Sequence, residues 1–244
     1  MNSSINLFDR KELYRMEHSP LGNSYKTDQI PNRLRRKVIC DNMHLMEDMT
    51  FTSTGYPQLF PYNGYTGFEL VSYSDRKNHT GENQALHTFI DDYRFRDAMW
   101  CNLEYTTYSI SHYDFFFTPD FSLWRNLPTD FYNKQNIFRT RFVGLYWQLQ
   151  GFQVIPTASW GGLNSFSFCL EGLPSHSIIA VSGLSNRKDA QAYNVWCYGL
   201  RRLEEEKFPT LILVYGPEID IPDLHTPVIF MKDFISKRFR YGNK

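Results

Sequence analysis

The chain has only four cysteines, Cys40, Cys101, Cys169 and Cys197, and no two of them form a CxxC pair. That absence excludes a zinc knuckle or a dithiol redox motif and leaves free, buried thiols in a reducing compartment as the expectation. Long apolar runs are also missing: no stretch approaches the roughly 18 residues of a membrane span. The start, Met1-Asn2-Ser3-Ser4, shows no basic region followed by an apolar one, so the expected setting is cytoplasmic, with no membrane partner. Charge of one sign is lacking too. Lys plus Arg and Asp plus Glu stand at 26 each, which removes any global attraction for nucleic acid. No glycine pair is followed by Gly-Lys-Ser/Thr, and neither G-x-G-x-x-G nor G-x-S-x-G occurs, so the P-loop, the dinucleotide fingerprint and the hydrolase elbow are excluded.

What is present suits a packed core. Of the 244 residues 42% are hydrophobic and 17% aromatic, enough for one domain with an elaboration. Residues 1–84 read as an irregular arm packed on the main domain, rich in turn formers and tyrosine, as in Phe60-Pro61-Tyr62-Asn63-Gly64-Tyr65. Residues 85–235 alternate short apolar runs with helical patterns, and residues 236–244 form a basic tail. The expected fold is α/β: a mostly parallel sheet of about six strands with crossover helices. The strands are placed at Leu86 to Ile90, Phe115 to Thr118, Gln153 to Ile155, Ser177 to Val181, Thr210 to Tyr215 and Val228 to Met231. Their nearly continuous apolar character fits parallel strands covered on both faces. Between Thr129 and Gln150, Phe138, Phe142, Leu145, Tyr146 and Leu149 recur at spacings of three and four, and Gly151 ends that helix. A second helix is expected from Arg187 to about Glu206, capped by Asn186 and Asp189 and frayed at its end by Glu204, Glu205 and Glu206.

Four motifs occur in order: Asp91-Asp92-Tyr93-Arg94-Phe95, Thr118-Pro119-Asp120-Phe121-Ser122-Leu123-Trp124-Arg125, Val154-Ile155-Pro156-Thr157-Ala158-Ser159-Trp160-Gly161 and Leu213-Val214-Tyr215-Gly216. In these the sequence resembles a bacterial and phage family, the domain of unknown function DUF 4417, over roughly the last two thirds of the chain. The resemblance implies a phage, plasmid or bacterial origin and a cytoplasmic setting. It brings no activity with it. The chain departs from the family pattern at Thr157-Ala158-Ser159, where an Asn or Arg is expected.

In a doubly wound sheet ligands bind outside the carboxyl ends of the strands, where loops and helix starts converge. The expected strand ends carry Asp91 and Asp92, then Asp120 and Ser122, then Ser159 and Trp160, then Ser182 and Gly183, then Tyr215 and Gly216. Asp91, Asp92 and Asp120 could hold a hard cation such as Mg²⁺, with Asp92 and Asp120 as the catalytic candidates. The competing use is capping of turns and helix starts. Trp160-Gly161-Gly162-Leu163-Asn164-Ser165 could cradle a phosphate on backbone N–H groups or simply make a tight turn. Trp124, Arg125 and Trp160 could stack a base or sugar, or close the end of the core. His87 and His112 are candidate general bases without a partner at recognisable spacing, and Cys169 reads as core.

Three functions follow from this reading. The first is binding of, or action on, a nucleotide or other phosphate-containing ligand at the sheet's carboxyl edge, through Asp92, Asp120, Ser122, Arg125, Ser159, Trp160, Gly161, Gly183, Tyr215 and Gly216. The second is a phage or plasmid accessory protein that binds nucleic acid through the basic clusters Arg33-Leu34-Arg35-Arg36-Lys37 and Lys237-Arg238-Phe239-Arg240. The third is a non-catalytic interaction protein that engages a host factor through the aromatic segment from Tyr56 to Tyr73.

Overall fold

The computed structural model describes residues 41–184 and 189–231. Eight strands run in chain order: β1 (Glu69–Ser72), β2 (Gln84–His87), β3 (Phe115–Phe117), β4 (Gln153–Ile155), β5 (Thr157–Ala158), β6 (Ile178–Ser182), β7 (Leu211–Tyr215) and β8 (Val228–Met231). Three α-helices lie between them: α1 (Leu103–Ile110), α2 (Phe131–Leu149) and α3 (Ala190–Lys207). Every strand pairing is parallel, and the strands follow one another in order, β1 to β4 and then β5 to β8. The two sets are joined at Pro156, which lacks an N–H and interrupts what would otherwise be one strand. On either side Thr118 N donates to Ile155 O at 3.0 Å and Ala180 N to Pro156 O at 2.8 Å. The Thr118 and Thr157 hydroxyls meet at 2.6 Å across the gap.

All three helices cover the same face. Leu86, Phe116, Val154, Ile179, Val181, Ile212 and Val214 pack with Leu103, Phe142, Trp147, Trp196, Leu200 and Leu203 in a single core. The other face, with Ala85, Phe117, Ile155, Ile178, Ala180, Leu213, Tyr215 and Met231, meets Tyr62 and Phe89 and, among the described residues, no buried residue of a helix. Contacts between its two ends cover part of it. The Tyr215 ring of β7 lies 4.6 Å from that of His87, at the end of β2, and 4.6 Å from that of Phe89 just beyond it. The expected α/β fold, a parallel sheet with crossover helices, is present, with the three described helices on one face of it. Right-handed crossovers taken in strict sequence place every helix on one side, and the twist of the strands rolls the bare side inward. A doubly wound sheet, with helices on both sides, would have the same apolar runs.

The sheet begins at Glu69, within the segment that reads as an arm. Only Leu70 and Val71 are apolar in β1, too short a run to register as a strand. Tyr56, Tyr62 and Tyr73 are buried and belong to the core, while Phe60 of the same segment is exposed. The basic clusters at 33–37 and 237–240, together with Cys40 and Asn186, lie outside the described residues. Of the remaining cysteines only Cys169 is buried, while Cys101 is exposed and Cys197 half-buried.

Helix α2 ends as read, with Gly151 at φ 86°. Helix α3 starts three residues later than expected because Asp189 is its cap, accepting from Gln191 N at 2.9 Å and Ala192 N at 3.3 Å. Its glutamates do not fray the last turn. Glu204 accepts from Thr226 N at 2.6 Å and Glu206 pairs with Arg202. Phe208, at φ 47°, closes the helix by donating its N–H to Glu204 O.

Candidate functional site

The loops that leave β3 and β5 converge on the end of β6 and the start of α3, and enclose a cavity of about 420 Å³. Asp120, Ser122, Trp124 and Arg125 come from the first loop and Ser159, Trp160 and Gly161 from the second. Ser182 and Trp196 complete the wall. The position agrees with the rule that loops at the carboxyl ends of parallel strands build sites.

The first loop is held from three sides. Asp120 N donates to Thr88 Oγ1 at 2.8 Å. Asp92 accepts from both the N–H and the hydroxyl of Ser122, at 3.1 and 2.7 Å. Buried Asn133 brackets Trp124 by accepting from its N–H at 3.0 Å and donating to its carbonyl at 2.8 Å, while Asn136 donates to Ser122 O at 2.8 Å. These two asparagines escaped the sequence reading. The available signal was their i, i+3 spacing, which puts two amides on one face of α2.

The second loop depends on close approach. A Cβ at Gly161 would stand 2.8 Å from Trp124 O, and one at Gly162 2.9 Å from Arg125 O. The Gly161 N–H is already given to Ser165 Oγ at 3.1 Å. The glycines thus seat one loop on the other, and this use accounts for them without a phosphate. Trp160 rests on Gly199 of α3, where an added Cβ would fall 2.1 Å from Cε2. Gly199→Ala is accordingly expected to push the indole off its seat. The overpacking, on the order of 1–3 kcal/mol, should exceed the gain of about 1 kcal/mol in helix propensity. Thermal denaturation and tryptophan fluorescence would register the loss and the moved ring.

Two polar groups in the cavity lack partners. Ser159 Oγ is buried with no hydrogen bond. The Asp120 carboxyl makes no hydrogen bond or ion pair with the described residues, and burial, with the nearby charge of Asp92 second, pushes its pKa up to about 7. Arg125, at the rim, is different: its Nη2 donates to Asp189 at 2.5 Å. That bond is the main reason the Asp189 carboxyl is held below its ordinary range.

The other candidates lie elsewhere. Asp91 is exposed and faces Arg94 at 3.8 Å, and both Asp92 oxygens are engaged by Ser122. The three aspartates form no cation cluster, and among the described residues no group of three His, Cys, Asp or Glu could hold a metal. Adjacent aspartates point apart on a tight turn. Gly183 and Gly216 serve the sheet's hydrogen bonding, donating to Tyr215 O and Met231 O, and Tyr215 is packed on His87 and Phe89. None of the three lines the cavity. His87 is fully enclosed and burial lowers its pKa to about 3, so it stays neutral. His112 packs against Tyr113. Cys169 is core, its thiol pushed up to about 12 by burial.

The fold and the cavity define an α/β protein with a sequentially wound parallel sheet and a pocket at its carboxyl edge. The family described as "Domain of unknown function (DUF4417)" matches residues 50–234, and the chain belongs to it. The Gene 1 protein of Mycobacterium phage L5 is 39% identical over 145 residues, covering 59% of this chain and 62% of that protein. The Gene 1 protein of Mycobacterium phage D29 is 37% identical over 145 residues, covering 59% of this chain and 53% of that protein. The chain thus spans less than two thirds of the length of either relative. No solved structure matches. Among the described residues no helix is long and apolar enough to cross a membrane.

Proposed function

We propose that the cavity binds a nucleotide, with the base against Asp120 and Ser159 and the phosphate toward Arg125. The observation that carries this reading is the half-buried Asp120 carboxyl, which lines the cavity and has no hydrogen-bond or ion-pair partner among the described residues. A ligand that supplies donors to this carboxyl satisfies it. Trp124, Trp160 and Trp196 give the walls flat apolar area suited to a ring. A volume of about 420 Å³ falls in the range of small-molecule pockets.

A second compartment of about 460 Å³ adjoins the first and shares Arg125 and Val195 with it. It is lined by Asn126, Asn164, Gln191, Asn194 and Tyr198, groups that suit the hydroxyls of a sugar. Arg125 would exchange Asp189 for the phosphate. A Mg²⁺ ion would come with the phosphates. A carboxyl with a pKa of about 7 could also take or give a proton near neutral pH, as a general acid or base does.

Calorimetric titration with nucleoside monophosphates tests this reading. Arg125→Ala should weaken binding about tenfold, the value of one lost charge-assisted bond. If every nucleotide binds equally well with and without the Arg125 guanidinium, the placement of the phosphate is wrong.

A second reading, an accessory protein that binds nucleic acid, draws on the phage origin of the relatives. Exposed Trp124, Phe131 and Tyr132 would then stack successive bases. It is the weaker reading, because among the described residues Arg125 is the one cation that lines either compartment and a polyanion needs several. Binding of single-stranded DNA that falls steeply between about 50 and 200 mM salt would favour it.

A further inference from the structure

We infer that the base selected by this cavity is a 2-amino-6-oxopurine, the guanine ring, read by the Asp120 carboxylate through the ring N1–H and the exocyclic N2–H₂. The inference rests on the nucleotide reading above and names the base.

A carboxylate only accepts, through two oxygens side by side. The partner that satisfies both is a pair of adjacent N–H donors, the arrangement that makes Arg–carboxylate contacts bidentate. Guanine carries such a pair on its Watson–Crick edge. Hypoxanthine has the single N1–H, and uracil and thymine have one N–H between two carbonyl oxygens that would face the carboxylate. Adenine and cytosine place an amino group beside a ring nitrogen lone pair, which repels one carboxylate oxygen. Those two could pair with the protonated acid instead, but neutral hydrogen bonds are about half as strong as charge-assisted ones.

Among the described residues, the neighbouring carboxylates are already engaged and do not compete for the ligand's donors. Asp92, the nearest other carboxylate, is engaged on both oxygens by Ser122. Asp189 is held by Arg125 and by the first amides of α3. Ser159 Oγ, buried without a partner in the same cavity, is free to donate to the purine O6. Tryptophan walls favour the larger stacking area of a purine over a pyrimidine.

The experiment is calorimetry at pH 8 with the 5′-monophosphates of guanosine, inosine, adenosine and xanthosine, on the full chain and on Asp120→Asn. Guanosine monophosphate should bind the native chain at least about tenfold more tightly than inosine monophosphate, the value of one bond to a charged group. In the Asp120→Asn protein the preference should move to xanthosine monophosphate, whose 2-oxo group accepts from the new amide. Equal binding of inosine or adenosine monophosphate to the native chain overturns the inference and leaves the nucleotide reading standing. Binding of none of the four overturns both. The guanosine and inosine comparison needs no variant, so it holds even if the substitution disturbs folding.

Discussion

Asp120→Asn should make the protein more stable at pH 8 while it weakens guanosine monophosphate binding. Burial raises the Asp120 pKa from an ordinary 3.8 to about 7, so between those values the folded chain holds a proton that the unfolded chain has released. Where the native state binds more protons, stability falls as pH rises. The native protein should therefore be most stable below about pH 4 on account of this group, lose stability through the interval up to about 7, and level off above it. Because the carboxyl is half-buried and lines a cavity, solvent reduces the contribution to on the order of 1–2 kcal/mol. An asparagine of nearly the same shape does not ionise, so the variant should gain most of that amount at pH 8 and little at pH 4. Urea denaturation of both proteins at the two pH values measures the difference. A variant less stable than the native chain at pH 8 would show that the carboxylate has a partner in the folded state. Gain of stability with loss of binding is the signature of a residue kept for function at a cost in stability.

Arg141→Met is expected to produce the largest loss. Arg141 is completely buried on α2, and no carboxylate pairs with it among the described residues. Its Nε donates to Glu171 O, Nη1 to Thr157 O and Nη2 to Cys169 O, each at 2.9 Å. Burial lowers its pKa only to about 10, so it remains a cation at neutral pH. One guanidinium thus ties the start of β5 to the segment that follows the Gly161-Gly162 turn. Methionine fills much of the volume but takes the donor from three carbonyls, two of them buried, at about 1–3 kcal/mol for each buried one. With the loop free to relax, a net loss of about 3–5 kcal/mol is expected, or a melting temperature lowered by roughly 10 °C for a chain of this size. Arg141→Lys should fare almost as badly, because an ammonium is a point source of donors and cannot reach three separate carbonyls in a plane. Since Thr157 lies two residues before Ser159, either variant should also weaken ligand binding. Retention of the native melting temperature by Arg141→Met would remove the role assigned here.

Composition and local pattern determined much of this protein. Six strands are legible because each is a short apolar run bounded by turn formers. Helix α2 is legible because its apolar spacing of three and four ends at Gly151, which adopts the positive φ that a side chain resists. The rule that loops at strand ends build sites picked out Asp120, Ser122, Arg125, Ser159, Trp160 and Gly161, and these share one cavity. The same rule also picked Gly183, Tyr215 and Gly216, which lie outside it, because a strand end does not reveal which way its loop turns.

Tertiary structure alone decided the rest. Whether the crossovers fall on one side of the sheet or on both depends on the spatial order of the strands, and a strand face covered by helices has the same apolar pattern as one covered by contacts across the sheet. The seating of Trp160 on Gly199, the bracketing of Trp124 by Asn133 and the three-carbonyl grip of Arg141 join residues far apart in the chain, for which no periodicity exists. Asp120 shows the division most clearly. Its place at a strand end could be read from the sequence, but its raised pKa comes from the protein packed around it, in which no described residue donates to it.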